Sequence, residues 1–238
     1  DGLGVRAALL VRTLDAHHAN PSIQAVHART FELLAPRAAG VYLDVGCGAG
    51  AFALELGERV GPDGRVVGID ASAEMVAVAE SRAPAARSGQ ATGRAPQLEF
   101  LVADAQALPF PDGSFDGVRC ERVLTYVADP VRAIGEMVRV ARAGAPVLVT
   151  EADWETYVFD LPDERALVRR FVTAANEGVA AGWIGRSLPR VLKDAGLRGV
   201  TVSIGGLIYP SARYFLDIDV GRATIERFGA TGRLSPSE

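Results

Sequence analysis

Short apolar runs rich in β-branched residues alternate with longer segments of helical period through the middle of this chain. The short runs predict five strands, at residues 41–45, 65–69, 98–102, 115–119 and 145–150. Strands that alternate with helices are typical of a parallel sheet with helices packed on both faces. The pattern therefore predicts an α/β fold built on a doubly wound, mostly parallel sheet.

The residues before two of the predicted helices are typical of helix starts. Ser72 lies before a helix whose first turn carries Glu74, and Asp129 lies before Pro130. A hydroxyl or carboxylate at this position accepts a hydrogen bond from a free backbone amide, and proline is favoured in the first turn. Residues 83–96, rich in Ala, Gly, Pro and Arg, show no regular period and predict a solvated connection.

The regular alternation of strand and helix ends after the fifth predicted strand. The pattern then predicts a helix over 163–176, a second helix opened by Ser187 and closed by Gly196, and a strand over 200–204. From residue 211 onward the spacing of apolar residues again predicts helix. These segments are expected to be additions to the parallel core.

Composition and charge narrow the classes of function. The 238 residues include 25 basic and 29 acidic side chains, a formal charge of −4 at pH 7, so the chain lacks the basic excess that binds nucleic-acid backbones. Its apolar runs are far shorter than the roughly 18 to 20 residues that span a membrane. The two cysteines, Cys47 and Cys120, suit neither a disulfide framework nor a metal site. These features predict a cytoplasmic protein that binds no nucleic acid, membrane or metal ion.

A glycine-rich turn follows the first predicted strand. The strand at 41–45 runs into Gly46, Gly48 and Gly50, and a helical segment comes next. Glycines leave room for a ligand over the end of the strand, and the free amides of the following helix favour an anionic group. Asp70 ends the second strand, where its carboxylate can accept hydrogen bonds from both hydroxyls of a ribose. A nucleoside-bearing ligand is therefore expected.

The glycine turn alone does not identify the nucleoside. Gly46, Gly48 and Ala51 also satisfy the relaxed dinucleotide-binding pattern, so a nicotinamide cofactor stays open. Asp44, two residues before the first glycine, and Asp104, after the third strand, favour a different ligand. A phosphate-binding loop gains nothing from a carboxylate at position 44.

Several segments together resemble one protein family. Asp44-Val45-Gly46-Cys47-Gly48-Ala49-Gly50, Asp70, Asp104 and Cys120-Glu121-Arg122-Val123-Leu124 follow four successive predicted strands. Residues 40–151 thereby resemble the class I S-adenosylmethionine-dependent methyltransferases, in particular the branch with quinone-biosynthesis C-methyltransferases and natural-product O- and N-methyltransferases. The resemblance implies a Rossmann-like fold, S-adenosylmethionine as cofactor and S-adenosylhomocysteine as product.

The resemblance also implies site residues and regions. In the family, an acid such as Asp70 binds the ribose, and an acid such as Asp104 receives the adenine amino group. The implied cofactor-binding residues are Asp44, Gly46, Cys47, Gly48, Gly50, Asp70, Ala71, Met75, Asp104, Ala105 and Glu121. The implied regions are an N-terminal helical lid over 1–38, the cofactor-binding core over 39–151, and acceptor-pocket helices with a sixth strand over 152–238.

The sequence departs from the family pattern at Tyr126, at residues 142–146, which replace the usual Pro-Gly-Gly before the fifth strand, and at its end. Tyr126 stands where many relatives carry a histidine, so that position supplies no imidazole base. The family fold also ends with an antiparallel strand between the fifth and sixth, and no sequence for it follows Tyr209. Because a missing strand leaves two sheet edges unpaired, we expect the natural chain to continue past Glu238, or another segment or subunit to fill the gap.

The implied reaction decides which further side chains matter. Methyl transfer from a sulfonium is one in-line displacement that needs alignment, exclusion of water and, for a hydroxyl or amine acceptor, a place for the proton. Asp153, beyond the fifth strand, and His18, in the N-terminal segment, are the candidate catalytic residues. Candidate acceptor-binding residues are Arg122, Tyr126, Trp154, Tyr157 and Arg186.

The function predicted from these features is S-adenosylmethionine-dependent methyl transfer to an O, N or C atom of a small molecule, such as a bacterial secondary metabolite. The protein is expected to be a monomer or homodimer whose partner is this acceptor. Two alternatives stay open. One is an S-adenosylmethionine-binding protein with a non-methylating role, such as a cyclase, and the other is an NAD-dependent oxidoreductase.

Overall fold

The computed structural model describes residues 5–88, 96–156, 158, 165–177, 179–208, 225–226 and 228–230. The α-helices are α1 (Val5–His18), α2 (Pro21–Leu34), α3 (Ala51–Val60), α4 (Ala73–Ser88), α5 (Pro130–Val140), α6 (Arg165–Glu177) and α7 (Ile184–Asp194). The strands are β1 (Val41–Val45), β2 (Arg65–Asp70), β3 (Gln97–Val102), β4 (Gly117–Glu121) and β5 (Val147–Thr150). One 3₁₀ turn spans Trp154–Thr156.

Among the described residues, the five strands form one parallel sheet in the order β3-β2-β1-β4-β5. Strand β1 is central, with Val45 beside Ile69 of β2 and beside Cys120 of β4. The chain order therefore reverses between β1 and β4, which is where open α/β sheets bind ligands, beyond the carboxyl ends of the strands. The sheet confirms the predicted doubly wound, parallel α/β fold.

Helices cover both faces of the sheet because parallel strands bury apolar side chains on both sides. Helices α5 and α7 pack on one face. Helices α2, α3 and α4 pack on the other. Buried side chains of the first layer include Leu43, Val45, Cys120, Ile134 and Leu188, and those of the second include Tyr42, Val66, Phe31, Leu56 and Ala79.

The predicted helix starts at Ser72 and Asp129 are confirmed by their hydrogen bonds. The Ser72 hydroxyl accepts from the Met75 amide at 3.3 Å. The Asp129 carboxylate accepts from the Arg132 amide at 2.9 Å, and Pro130 occupies the first turn of α5. Each cap fixes the first turn of a helix that returns the chain across the sheet.

The first three strands lie within one residue of the predicted bounds, and β5 begins two residues later than predicted, at Val147. Strand β4 departs at both ends. It begins at Gly117, two residues later than predicted, and continues to Glu121. Phe115 forms only an isolated bridge with Ala141 and is buried under the amino end of the strand. The shift places Glu121 at the carboxyl end of the sheet, inside the strand ladder.

The solvated connection predicted over 83–96 is wrong in its first part. Helix α4 continues through Ser88. Alanine is the strongest helix former and is frequent in this segment, and Ala83 is buried in the layer on that face of the sheet. Residues 89–95 lie outside the described residues.

The C-terminal third differs most from its prediction. Helix α7 begins at Ile184, three residues before Ser187, because Ile184 bonds back to Ala181 and is buried in the apolar layer. The strand predicted over 200–204 is wrong: no strand is assigned there, and the Ile204 side chain is 96% exposed. Of the helix predicted from 211, only 225–226 and 228–230 are described, and both are helical.

The outer edge of β5 has no partner strand among the described residues. Within the described ranges β5 pairs with β4 alone, and its other side borders a groove lined by α2, α7 and residues 196–208. A further strand there, from this chain or a second subunit, stays a prediction. None of the described helices has the length and apolar character required to cross a bilayer.

Candidate functional site

The glycine turn between β1 and α3 adopts a backbone conformation that other residues avoid. Gly46, Gly48 and Gly50 have φ of 72°, 52° and 83°. A Cβ at Gly46 would lie 2.0 Å from Val123 Cγ2, and one at Gly50 would lie 2.8 Å from Ala79 Cβ. Sequence reasoning assigned these glycines to close approach of a ligand. At Gly46 and Gly50 the protein's own packing already requires them.

Asp70 lies beside this turn at the end of β2. One carboxylate oxygen accepts the Gly48 amide at 2.9 Å, and the other accepts the Ser72 amide at 2.9 Å. The two bonds fix the carboxylate between the turn and the start of α4. Of the neighbouring predicted cofactor residues, Ala71 is exposed at this edge and Met75 is buried in α4.

Asp104 follows β3, the strand next to β2, and is exposed. It accepts the Gln106 backbone amide at 2.8 Å and the Gln106 side-chain amide at 3.1 Å. These bonds, the backbone one foremost, lower the pKa of the Asp104 carboxyl. Ala105, directly after it, is buried. Two fixed carboxylates, Asp70 and Asp104, therefore stand at the carboxyl ends of adjacent strands.

A buried charged cluster, formed by Asp44, Arg119, Glu121 and His27, lies where β1 and β4 end. Arg119 Nη1 donates to Asp44 Oδ1 at 2.8 Å, and Arg119 Nη2 donates to Glu121. His27 Nε2 of α2 lies 3.2 Å from Glu121 Oε2. Sequence reasoning named the two carboxylates but missed Arg119 and His27. A charged residue between the apolar Val118 and Cys120 of a central strand is the signal that it overlooked.

Burial and ion pairing oppose each other in this cluster. Burial penalises the charged form of Glu121, but Arg119 and His27 outweigh it and hold the Glu121 pKa well below its usual range. For Asp44 burial dominates and raises the pKa, although Arg119 offsets part of the effect. Asp44 Oδ2 is buried without a hydrogen-bond partner among the described residues. The Arg119 guanidinium also lies 3.9 Å from the centre of the Phe52 ring.

Helix α1 is fastened over the glycine turn. Asp15 forms two hydrogen bonds of 2.9 Å with the Arg82 guanidinium of α4. His17 Nδ1 lies 2.6 Å from Arg122 Nη1, and burial, followed by the charge of Arg122, lowers the His17 pKa to about 4. The nearest atom to a Cβ built on Gly48 is Leu14 Cδ1, at 3.1 Å. The helix therefore shields the turn from solvent.

The predicted catalytic residues His18 and Asp153 lie in different surroundings. The His18 ring centre is 5.1 Å from that of His27, and burial, then His27, lowers the His18 pKa. Asp153 is held by Arg186, whose Nη2 donates to Oδ1 at 2.7 Å. That hydrogen bonding lowers the Asp153 pKa, which makes the carboxylate a poor proton acceptor near neutral pH. The structure thus joins two predicted residues, Asp153 and Arg186, to each other.

The other predicted acceptor residues differ in exposure and contacts. Arg122, with φ of 54°, contacts His17, and Tyr126 is 59% exposed. Trp154 is buried, and Tyr157 lies outside the described residues. Cys47 is also buried, which raises its thiol pKa and disfavours the nucleophilic thiolate.

Glu151, directly after β5, was not among the predicted residues. One of its carboxylate oxygens accepts the amides of Val123 and Leu124 at 2.7 and 2.5 Å. The other is buried without a hydrogen-bond partner in the described part of the chain. Burial raises the Glu151 pKa to about 7, although the backbone hydrogen bonds lower it and offset part of this rise. A carboxylate at the end of a strand that borders the site is the sequence signal for it.

Comparisons with known proteins agree with this geometry. Residues 43–149 match the family described as a methyltransferase domain. The chain is 39% identical over 123 residues to demethylmenaquinone methyltransferase of Thermus thermophilus, covering 52% of each chain. It spans about half the length of the curated relatives that it matches.

Two solved structures show the same fold. The [4+2]-cyclase SpnF is 26% identical, covers 72% of this chain and 56% of its own, and has a TM-score of 0.55. An S-adenosylmethionine-dependent methyltransferase of Methanosarcina mazei is 29% identical, covers 70% of this chain and 82% of its own, and has a TM-score of 0.54. Together with the family match over residues 43–149 and the glycine turn, these findings support a class I S-adenosylmethionine-dependent methyltransferase fold for the α/β core of this chain.

Proposed function

We propose that this protein binds S-adenosylmethionine and transfers its methyl group to an O, N or C atom of a small molecule. The observation that carries the proposal is the pair of fixed carboxylates, Asp70 and Asp104, at the ends of adjacent strands beside the glycine turn. A nucleoside needs an acceptor for its ribose hydroxyls and another for its base amino group. The match to a methyltransferase domain supports the same conclusion.

The residues present fit this cofactor. In the proposal Asp70 binds the ribose, Asp104 and Ala105 bind the adenine, and the turn at Gly48 lies under the amino-acid tail. The unpartnered Asp44 Oδ2 is a buried acceptor at the same end of β1, and the tail carries an ammonium group that can donate to it. When bound, the cofactor supplies an electrophilic methyl group.

The chain's own residues would align the acceptor and manage its proton. Helix α1 shields the turn through its contacts with Arg82 and Arg122, which favours exclusion of water. Among the candidate bases, Asp153 is paired with Arg186, which lowers its pKa, whereas burial raises the pKa of Glu151 to about 7. A hydroxyl or amine acceptor would therefore pass its proton towards Glu151 or His18 in preference to Asp153.

The two alternative functions differ in how they are supported. The dinucleotide pattern at Gly46, Gly48 and Ala51 is the only feature that favours an NAD-dependent oxidoreductase, and the family match opposes it. The similarity to SpnF concerns a protein named as a cyclase, so a non-methylating role is the second candidate. Nothing in the site favours it over methyl transfer.

Calorimetric titration tests the proposal. We expect heat of binding with S-adenosylmethionine and S-adenosylhomocysteine and none with NADH. Binding of NADH alone would refute the proposal. Incubation with labelled S-adenosylmethionine and panels of phenols, quinones and amines should then give labelled product, whereas cofactor binding with no product across all panels would favour the non-methylating role.

The proposal includes three finer points about the whole protein. It acts as a monomer or homodimer, binds no nucleic acid, and works in the cytoplasm, where the buried free thiols Cys47 and Cys120 stay reduced. Light scattering after gel filtration tests the first point, and fractionation of the source cells tests the last. Division into a lid (1–38), a core (39–151) and an acceptor region (152–238) is likewise part of the proposal.

A further inference from the structure

Arg119 is a charged side chain in the middle of a buried central strand. It pairs in register with Asp44 of β1, and the whole residue is 5% exposed. Its neighbours in β4, Val118 and Cys120, are fully buried and apolar. Burying a guanidinium there is costly unless each of its contacts is satisfied, so the arginine needs an explanation beyond packing.

The Arg119 side chain joins the ends of two strands. One guanidinium nitrogen bonds Asp44 at 2.8 Å and the other bonds Glu121. The planar group stacks on Phe52 of α3, which fixes its orientation. A guanidinium can hold two carboxylates at once because its donors form a rigid fork. Arg119 therefore fixes Asp44 of β1 and Glu121 of β4, the two strands between which the strand order reverses.

The contacts of the cluster leave one carboxylate oxygen of Asp44 without a donor among the described residues. Two carboxylates, Asp44 and Glu121, face one guanidinium, and the remaining partners are His27 of α2 and the Arg122 side chain, whose Nε is 3.6 Å from Glu121. Asp44 Oδ2 has no partner within the described residues. A buried acceptor without a donor is unfavourable. The end of β1 is thus suited to a ligand that brings a cationic donor.

We propose that Arg119 is a positioning residue for the cofactor's amino-acid tail. It holds Asp44 and Glu121 in place, so that the unpartnered Asp44 Oδ2 is presented as an acceptor to the ammonium group of that tail. The inference rests on the proposed function, because it requires the tail to lie at the glycine turn. Without the guanidinium, the two carboxylates would repel each other, take up a proton and lose their fixed orientation.

Two ligands separate this role from a purely structural one. S-adenosylhomocysteine carries the amino-acid tail, whereas 5′-methylthioadenosine shares its adenine, ribose and thioether but lacks the tail. In Arg119→Met we expect the Kd for S-adenosylhomocysteine to rise at least about tenfold, the scale of one lost charged contact, and the Kd for 5′-methylthioadenosine to change less than about twofold. Calorimetry measures both.

The matched control is Arg65→Met. Arg65 is also a strand arginine paired with a carboxylate, Glu99, but the pair is about 40% exposed. This variant should bind both ligands like the wild type. If Arg119→Met does not fold, Arg119→Lys decides, because lysine keeps the charge but cannot bridge both acids in a fixed plane. It should weaken binding of S-adenosylhomocysteine alone, by at least about threefold.

Three results would overturn the inference. A folded Arg119→Met could lose affinity for both ligands equally, or could bind both like the wild type. If that variant does not fold, an unchanged Kd for S-adenosylhomocysteine in Arg119→Lys would overturn it. The wild type distinguishes this failure from that of the proposed function. Wild-type protein that binds neither ligand refutes the function, whereas wild-type binding without the expected selectivity in the variants refutes only the role of Arg119.

Discussion

Replacing Asp70 with alanine should weaken binding of every ligand that carries the ribose. Asp70 is fixed by the Gly48 and Ser72 amides, each at 2.9 Å, so its orientation does not have to be acquired on binding. Losing a charged acceptor of the ribose hydroxyls costs about 1 to 3 kcal/mol. That corresponds to about a 5- to 150-fold higher Kd at 25 °C. S-adenosylhomocysteine and 5′-methylthioadenosine should lose affinity alike, in contrast to the selective effect expected at Arg119.

The same substitution removes two hydrogen bonds from the folded protein. We expect Asp70→Ala to lower the Tm by several degrees, at about 2 to 4 °C for each kcal/mol lost. Calorimetric titration at a temperature well below the Tm of the variant separates the two effects, and Glu58→Ala, an exposed acid on α3, is the control. A folded Asp70→Ala protein that binds both ligands within twofold of the wild type would refute the ribose assignment.

Three further predictions concern packing, pH dependence and the helix over the turn. Gly46→Ala should lower the Tm because the added Cβ would lie 2.0 Å from Val123 Cγ2. Adding Val123→Ala should recover part of the lost Tm, and no recovery would contradict the steric explanation. The pKa of Glu151 in the folded protein, about 7, lies above its ordinary 4.5, so the unfolded chain ionises first and stability falls as pH rises from about 4.5 to about 7. Glu151→Gln should therefore lose less Tm than the wild type between about pH 4.5 and pH 7, and equal losses would count against the raised pKa. Asp15→Ala removes the bonds to Arg82 and should speed dissociation of S-adenosylhomocysteine several-fold in stopped-flow measurements, whereas an unchanged rate would mean that α1 does not cover the ligand.

The features predicted well from the sequence are those set by neighbouring residues. Short runs of apolar residues determine the strands β1, β2 and β3, and the glycines determine the turn that follows β1. The Asp129 cap depends on one hydrogen bond from its side chain to a nearby amide. The same local rules misjudged α4 beyond Ala83, where burial and alanine content continue the helix.

The features missed depend on pairing between distant parts of the chain. Arg119 meets Asp44 only because β4 lies beside β1 in a particular register, 75 residues away along the chain. Glu151 meets Val123 and Leu124 in the same way, across the ends of β5 and β4. At 200–204 the β-branched residues favour a strand, but the described residues supply no partner strand for it, so propensity alone does not form one.

A crystal structure of the protein with S-adenosylhomocysteine would test the central claim most directly. We predict density with the ribose hydroxyls on Asp70, the adenine amino group towards Asp104, and the amino-acid tail over Gly48 beside the cluster of Asp44 and Arg119. A ligand bound elsewhere, or side chains of the protein filling that crevice in the complex, would contradict the account.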